Sequence, residues 1–340
     1  MLGTEERRIL VTGGAGYIGS HVCRALAASG YQPVVFDNLV HGHSWAVRWG
    51  PCEIGDLLDG PRLEAVLRDH KPYAVIHLAG LIAAGDSVVD PIPYYRTNVT
   101  GTLTLLEAMR NCQVHRLVFS SSAAIYGEPQ QVPIPESHVQ APVSPYGATK
   151  AMAERVLADF ARTYGLRSTA LRYFNAVGAA AADGIGEAHP HETHLVPLVL
   201  DAAAGLRPFI EIYGGDFPTP DGSCIRDYVH VCDLADAHVL ALAHLAQGDG
   251  FEAFNLGSET SASVREVVEA ARRVTGQTIP VRQRPRRPGD PAVLIADSTL
   301  AKKQLGWTPG FADLEQQIAT AWEWHQRYRT SERRQRAVNQ

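Results

Sequence analysis

The apolar run Ile9 Leu10 Val11 passes through Thr12 into Gly13 Gly14 Ala15 Gly16 Tyr17 Ile18 Gly19 and on into Ser20 His21 Val22. Strand, glycine turn and helix in that order mark the first unit of an α/β fold. The glycines allow a tight turn and a close backbone approach, and the helix begins directly above them. Its free N–H groups and positive dipole end form an anion site, and a dinucleotide pyrophosphate is the anion that suits the pattern. A second strand, Pro33 Val34 Val35 Phe36, ends in Asp37, at the distance where an acid reaches the adenosine ribose hydroxyls. A carboxylate there would repel a 2′-phosphate, so NAD is expected rather than NADP.

The alternation continues. Tyr73–Leu78 reads as a strand ending at Ala79-Gly80, and Arg116–Phe119 as another ending at Ser120 Ser121 Ser122. Between them, Asn98 to Cys112 carries a helical apolar stripe of Leu103, Leu106 and Met109, and Thr169–Tyr173 extends the series. The expectation is an α/β fold, a Rossmann-like doubly wound parallel sheet with a smaller C-terminal α/β lobe. Ligands then sit beyond the carboxyl ends of the strands, where Gly13, Asp37, Gly80, Ser122 and Phe174-Asn175 fall. Residues 5–175 read as the NAD-binding domain, with 230–258 returning to it, and 176–330 as a loop-rich substrate lobe. Helical pattern recurs at 233–245, 263–275 and 313–328, and 331–340 read as a frayed tail.

With 340 residues, 45% of them hydrophobic, the chain can bury a large core. A net charge of -5 gives no electrostatic reason to expect nucleic acid or membrane as a partner. The charged start lacks a signal-peptide core, and no apolar run reaches membrane-spanning length. Five scattered cysteines without a CxxC read as reduced thiols in a cytoplasmic protein.

Tyr146 and Lys150 lie four residues apart at the start of a helix pattern, so their side chains share one face. Ionising a phenol at pH 7 costs about 4 kcal/mol, given an ordinary pKa near ~10. A cation about 4 Å away in a partly screened site contributes about 4 kcal/mol. The pair therefore reads as an acid/base device.

These residues resemble the extended short-chain dehydrogenase/reductase family and, within it, the UDP-glucose 4-epimerases, over nearly the whole chain. The resemblance is carried by Val11–His21, Asp37-Asn38, Gly55-Asp56, Ala79-Gly80, Ser120–Ser122 with Tyr126-Gly127, and Ser144 Pro145 Tyr146 Gly147 with Lys150. It extends to Leu171–Asn175, Asp221-Gly222 with Arg226–His230, and Arg286-Arg287 with Gly289-Asp290. The stretches from Asp221 onward are the more specific to the epimerases. The resemblance implies an NAD pocket of Gly13, Gly16, Tyr17, Ile18, Gly19, Asp37, Asn38, Asp56, Leu57, Leu78, Ala79, Gly80, Asn98, Ser122, Tyr146, Lys150 and Phe174. It implies that Ser122 and Tyr146 meet the sugar O4, and that Asn175, His194, Leu195, Tyr213, Arg226, Arg287 and Asp290 hold the UDP-sugar. Arginine supplies the planar, permanently charged fork that a pyrophosphate needs. Further implications are reversible epimerisation at C4 through a 4-ketopyranose and a homodimer formed by two helices per subunit, one before Asn111 and one after Tyr146.

Related dehydratases and decarboxylating enzymes carry an acid just after the Ser or Thr at this strand end. Here Ser122 is followed by Ala123, Ala124 and Ile125, so the chemistry is expected to stop at the ketone and reverse. Ile82 stands where well-known bacterial epimerases have Lys near the cofactor, which implies weaker NAD retention. His194 stands where many relatives have Asn. Leu294 stands near the sugar-size gate and leaves N-acetylhexosamine, pentose and uronate forms open as alternatives, with an NAD-sensing protein as a reading of another class. His189, His191 and His194 fall in a loop that the resemblance gives to substrate, so no metal is expected. His41 and His43 are expected to be solvated, and the sequon Asn98-Val99-Thr100 unmodified.

Overall fold

The computed structural model describes residues 7–189, 191–258, 261–287 and 289–338, the stretch 329–338 as backbone alone. The chain begins with β1 (Arg8–Thr12), α1 (Tyr17–Ala28), β2 (Gln32–Asp37), β3 (Cys52–Ile54), α2 (Gly60–His70) and β4 (Ala74–His77). It continues with α3 (Ala84–Val89), α4 (Ile92–Tyr94), a π-helical turn over Tyr95–Thr100, α5 (Gly101–Asn111), β5 (Arg116–Ser122), α6 (Pro145–Tyr164) and β6 (Arg167–Tyr173). After β7 (Asn175–Val177) come α7 (Leu195–Ala203), β8 (Ile210–Tyr213), β9 (Ile225–His230), α8 (Val231–His244) and β10 (Phe251–Leu256). The last elements are β11 (Ser261–Ser263), α9 (Val264–Thr275), β12 (Val281–Arg284), β13 (Val293–Leu294), α10 (Thr299–Leu305) and α11 (Leu314–Val338).

Seven strands pair in the order β10-β6-β5-β4-β1-β2-β3, every neighbouring pair parallel. The alternation read from the sequence thus yields a doubly wound sheet. The order in which strands are added across the sheet reverses between β1 and β4, which opens a crevice at their carboxyl ends. Strand β1 shows how the core divides: Ile9 and Val11 face a cluster with Val22, Leu26, Leu234 and Trp307. Leu10, pointing the other way, joins Phe36, Leu63, Leu106, Met109 and Leu157.

The second region is smaller. Strand β9 pairs with β7, β11 and β13, and β8 pairs with β12. Its own core joins Val199, Leu200, Ile212, Val267, Val268 and Ile318. Helix α9 shows why such a segment folds locally. Ser263 accepts from the Glu266 amide while the Glu266 carboxylate accepts from the Ser263 amide, and Gly276 ends the helix in a left-handed turn.

Two expectations need adjustment. The stripe read as a helix from Asn98 starts earlier, through α4 and the π turn. The polar stretch read as frayed from Ser331 is helical as far as Val338, because Glu, Arg, Gln and Ala extend a helix at little cost. Residues 339–340 lie outside the described residues.

Candidate active site

The crevice is built around backbone. Gly13 has φ +72, and a Cβ there would lie 2.6 Å from the Ala79 amide nitrogen. A Cβ on Gly19 would lie 2.1 Å from the Gly13 carbonyl oxygen, so α1 rests directly on the turn. Leu78 donates its amide to Thr12 at 3.0 Å, closing the crevice floor. Gly16 precedes α1 with no side chain capping the helix, which leaves the first-turn amides of Tyr17, Ile18 and Gly19 available to an anion. The Tyr17 side chain does something else. It is buried, its hydroxyl donates to the Gly178 carbonyl at 2.6 Å, and burial pushes its pKa well above the phenol range.

Asp37 is held in place from both sides, one oxygen accepting from Ala15 N at 3.1 Å and the other from Leu39 N at 2.8 Å. The Asn38 amide donates to Asp56 at 2.9 Å, and Leu57 is buried beneath them against Gly101. A turn that admits no Cβ, an uncapped helix start and a fixed acid at the next strand end fit an NAD-type dinucleotide.

Helix α6 starts where Ser144 accepts from the Gly147 amide at 3.2 Å, with Pro145 in the first turn. That cap puts Tyr146 and Lys150 on the crevice side. The Tyr146 amide donates to the buried Ser87 hydroxyl at 3.1 Å, a support that nothing in the sequence announced. The Ser122 hydroxyl faces the Tyr146 phenol. Lys150 is buried and donates to the Ser120 carbonyl at 2.7 Å. Its ammonium lies 6.0 Å from the Tyr146 ring centre. Burial raises the Tyr146 pKa, and the Ser122 hydroxyl opposes it only in part. Burial lowers Lys150 to about 8, against the pull of Glu154. The free site therefore keeps the phenol protonated, and further positive charge has to arrive with a ligand.

Asn98 sits in the π turn, a local geometry often found at functional sites. Its carbonyl oxygen accepts from Leu81 N at 2.8 Å, and its amide donates to Leu81 O at 3.0 Å and Thr149 at 3.1 Å. It staples the segment after β4, Gly80 included, to the start of α6. Ile82, beside that staple, is 44% exposed. His77 locks the floor. Thr102 donates to Asn98 O, so His77 Nε2 donates to Thr102 at 3.0 Å and Nδ1 accepts from Thr12 at 2.7 Å. Burial, with Lys150 nearby, lowers its pKa to about 3. Beneath the pair, Arg172 and Glu154 make a buried bidentate ion pair at 2.6 and 2.9 Å, which sequence reading left as a motif residue without a partner.

The residues assigned to the nucleotide sugar gather on the second region. Asn175 donates to the Asp227 carbonyl at 3.2 Å. Arg226 donates to the Pro291 carbonyl and lies 3.9 Å from Asp290. The Arg287 guanidinium covers the Tyr213 ring at 3.9 Å. Phe174 and Leu294 pack on one small cluster with Ala123 and Ile125, which brings them beside the Ser122 strand end.

His194 and Leu195 open α7. His194 bonds Glu187, and His189 lies 3.2 Å from Glu187 and 3.4 Å from Glu192. The donor atoms of these four residues lie within 4.8 Å of one another, close enough for a metal ion. As imidazolium and carboxylate they already balance in charge. Burial opposes charge on His189, yet its bonds to Glu187 and Glu192 raise it to about 10. Burial likewise opposes charge on Glu187, but the two imidazoles hold it down to about 2. His191 is exposed and outside the group. His43, expected to be solvated, instead bonds the Ala188 carbonyl and stacks on Trp45.

Comparison with known proteins bears on this geometry. Residues 9–257 match the model of the NAD dependent epimerase/dehydratase family. The UDP-glucose 4-epimerase of Rhizobium leguminosarum bv. trifolii is 50% identical over 317 residues, 93% of this chain and 97% of the relative. The crystal structure of UDP-glucose 4-epimerase from Brucella ovis in complex with NAD matches with a TM-score of 0.91 and 51% identity, over 93% of this chain and 97% of that one. A UDP-glucose-4-epimerase from Stenotrophomonas maltophila with bound NAD and formylated UDP-arabinopyranose matches with a TM-score of 0.92 and 40% identity, over 96% and 99%. With its glycine turn, its Ser122, Tyr146 and Lys150 and its full-length similarity, this chain belongs to the NAD dependent epimerase/dehydratase family.

Proposed function

We propose that this chain interconverts UDP-glucose and UDP-galactose by inverting C4 through a 4-keto intermediate, with NAD held at the glycine turn. The observation that carries the reading is the Tyr146 phenol against the Ser122 hydroxyl, one helical turn from the buried Lys150, beside a crevice whose turn admits no Cβ. Bound NAD supplies the ring that accepts the C4 hydride and returns it, and the pyridinium charge that Tyr146 needs. Tyr146 takes the proton of the C4 hydroxyl and later gives it back, and Ser122 hydrogen-bonds the same oxygen. Lys150 carries the charge that favours the phenolate. Arg226 and Arg287 hold the pyrophosphate. His194 and Leu195, at the start of α7, Asn175, Tyr213 and Asp290 complete the grip on the UDP part. Binding energy spent far from C4 lets the ketone turn its other face to the returning hydride while the nucleotide stays fixed. No carboxylate follows Ser122, so nothing is placed to drive elimination.

In the same reading, residues 5–175 with 230–258 hold the dinucleotide and 176–330 the nucleotide sugar. A second copy of the chain covers the apolar surface of Val88, Val89 and Ile92, 64%, 87% and 65% exposed, continuing to Tyr95 and to Met152 on α6. Five unpaired cysteines suit a reducing compartment such as the cytoplasm. No helix among the described residues is long and apolar enough to cross a membrane.

Incubation with UDP-galactose tests the reading. Conversion to UDP-glucose without stoichiometric release of NADH is expected, and acid denaturation should free the bound dinucleotide for assay. Absence of turnover across UDP-hexoses, UDP-N-acetylhexosamines and UDP-pentoses refutes it.

A further inference from the structure

Beyond Asp37 the chain folds back across the crevice. Leu39 donates its amide to Asp37 at 2.8 Å and turns with φ 58, and His43 donates its amide to the Ala15 carbonyl at 2.9 Å. Residues 39–43 therefore lie over the glycine turn, next to the acid assigned to the adenosine ribose. A short turn at Ser44–Ala46 then presents Trp45, 37% exposed.

Four rings from two distant parts of the chain meet there. His43 stacks on Trp45 with centres 5.1 Å apart. Trp45 lies 5.3 Å from Trp324 and 5.9 Å from Tyr328, and Trp324 stacks on Tyr328 at 5.2 Å. The far side is fastened to the segment that leads to His194. The Trp324 indole donates to the Glu187 carbonyl at 2.8 Å, and His43 bonds the Ala188 carbonyl. A Cβ on Gly186 would lie 2.4 Å from the Trp324 ring, so that segment is pressed against the stack. Arg48 adds a bond to the Asp183 carbonyl. The 39–48 loop is thus tied to the glycine turn on one side and to α11 and the 183–188 segment on the other.

We propose that His43, Trp45, Trp324 and Tyr328 form an aromatic clasp that holds the 39–48 loop across the adenosine end of bound NAD and sets how long the dinucleotide stays. The proposal rests on the reading of the crevice as the NAD site. The clasp residues are positioning residues. They act on the loop and not on C4. Aromatic contacts are individually modest and Trp45 is the exposed ring of the stack, so the loop can open for exchange, and loss of that ring should speed release without dismantling the fold.

The test uses the full-length protein loaded with NAD and desalted at timed intervals, with the dinucleotide that remains on the protein assayed after acid release. Trp45→Ala is expected to lose NAD about tenfold faster than the unaltered protein, the factor for removing one or two ring contacts. Trp45→Phe, which keeps a ring in the stack, should restore retention to within about threefold. A purely structural role would lower the melting temperature and leave the release rate alone. Release from folded Trp45→Ala within about twofold of the unaltered rate overturns the clasp and leaves the NAD reading standing. Should that variant fail to fold, Tyr328→Ala, at the other end of the stack, carries the same expectation. An unaltered protein that neither retains NAD nor epimerises UDP-galactose overturns both.

Discussion

Tyr146 is pulled two ways. Burial keeps its proton on, the proposed reaction needs the proton off, and the Lys150 ammonium is bonded to the Ser120 carbonyl. In the proposed reaction the phenol ionises only when positively charged NAD joins Lys150. Tyr146→Phe should keep NAD and lose about 10²–10⁴-fold in turnover, the range for a positioned acid/base group; near-normal kcat would refute its role. The pH profile has a matching sign. Lys150, lowered to about 8 by burial against the pull of Glu154, carries its charge below that pH and sheds it above, so kcat should fall on the alkaline side. Deeper in, Arg172→Met would leave the Glu154 carboxylate buried without its cation. Such a break costs about 3–5 kcal/mol, which urea unfolding would register as a lower midpoint with an unchanged slope.

Among the elements, α1 matters most, because its seat on the glycine turn leaves no space at all. Gly19→Ala would set a methyl 2.1 Å from the Gly13 carbonyl. The helix would have to lift, at about 1–3 kcal/mol, and the first-turn amides would leave their anion site. Loss of NAD from the purified variant, with its far-UV spectrum retained, is the expected outcome, and full retention would contradict the placement. The π turn before α5 does a comparable job with a side chain. It turns Asn98 onto Leu81 and Thr149 and so fixes two crevice walls at once.

Across the whole molecule, four buried imidazoles set the response to acid. Burial lowers His21 and His238 to about 4 and His77 and His230 to about 3. Each folded pKa lies below the unfolded value of about 6.5, so the unfolded chain binds more protons as the pH drops through that window. Their contribution to stability is full above about pH 6.5 and declines below it by roughly 1.4 kcal/mol per pH unit for each imidazole. Asp233, Asp236 and Glu136, raised by burial, work in the opposite direction on fewer groups. His189, raised to about 10 by its bonds to Glu187 and Glu192 despite burial, contributes stability below about 6.5 that is lost as the pH rises toward 10. Melting curves should therefore fall between pH 7 and 4.5; a flat response there would contradict the neutral, buried imidazoles.

The sequence by itself determined the sheet, the glycine turn and the Tyr146–Lys150 helix, because each rests on short-range rules: apolar alternation, glycine at a turn, and a Ser-Pro start that places side chains one turn apart. Those rules do not reach across the chain. The 6.0 Å gap between ammonium and phenol ring, the Ser87 support, the Arg172–Glu154 pair, the closed Glu187–His189–Glu192–His194 group and the His43–Trp45–Trp324–Tyr328 stack join residues whose patterns are locally unremarked. Only the tertiary structure decided them, since burial sets which polar groups must find partners, and the fold alone sets which partners are within reach.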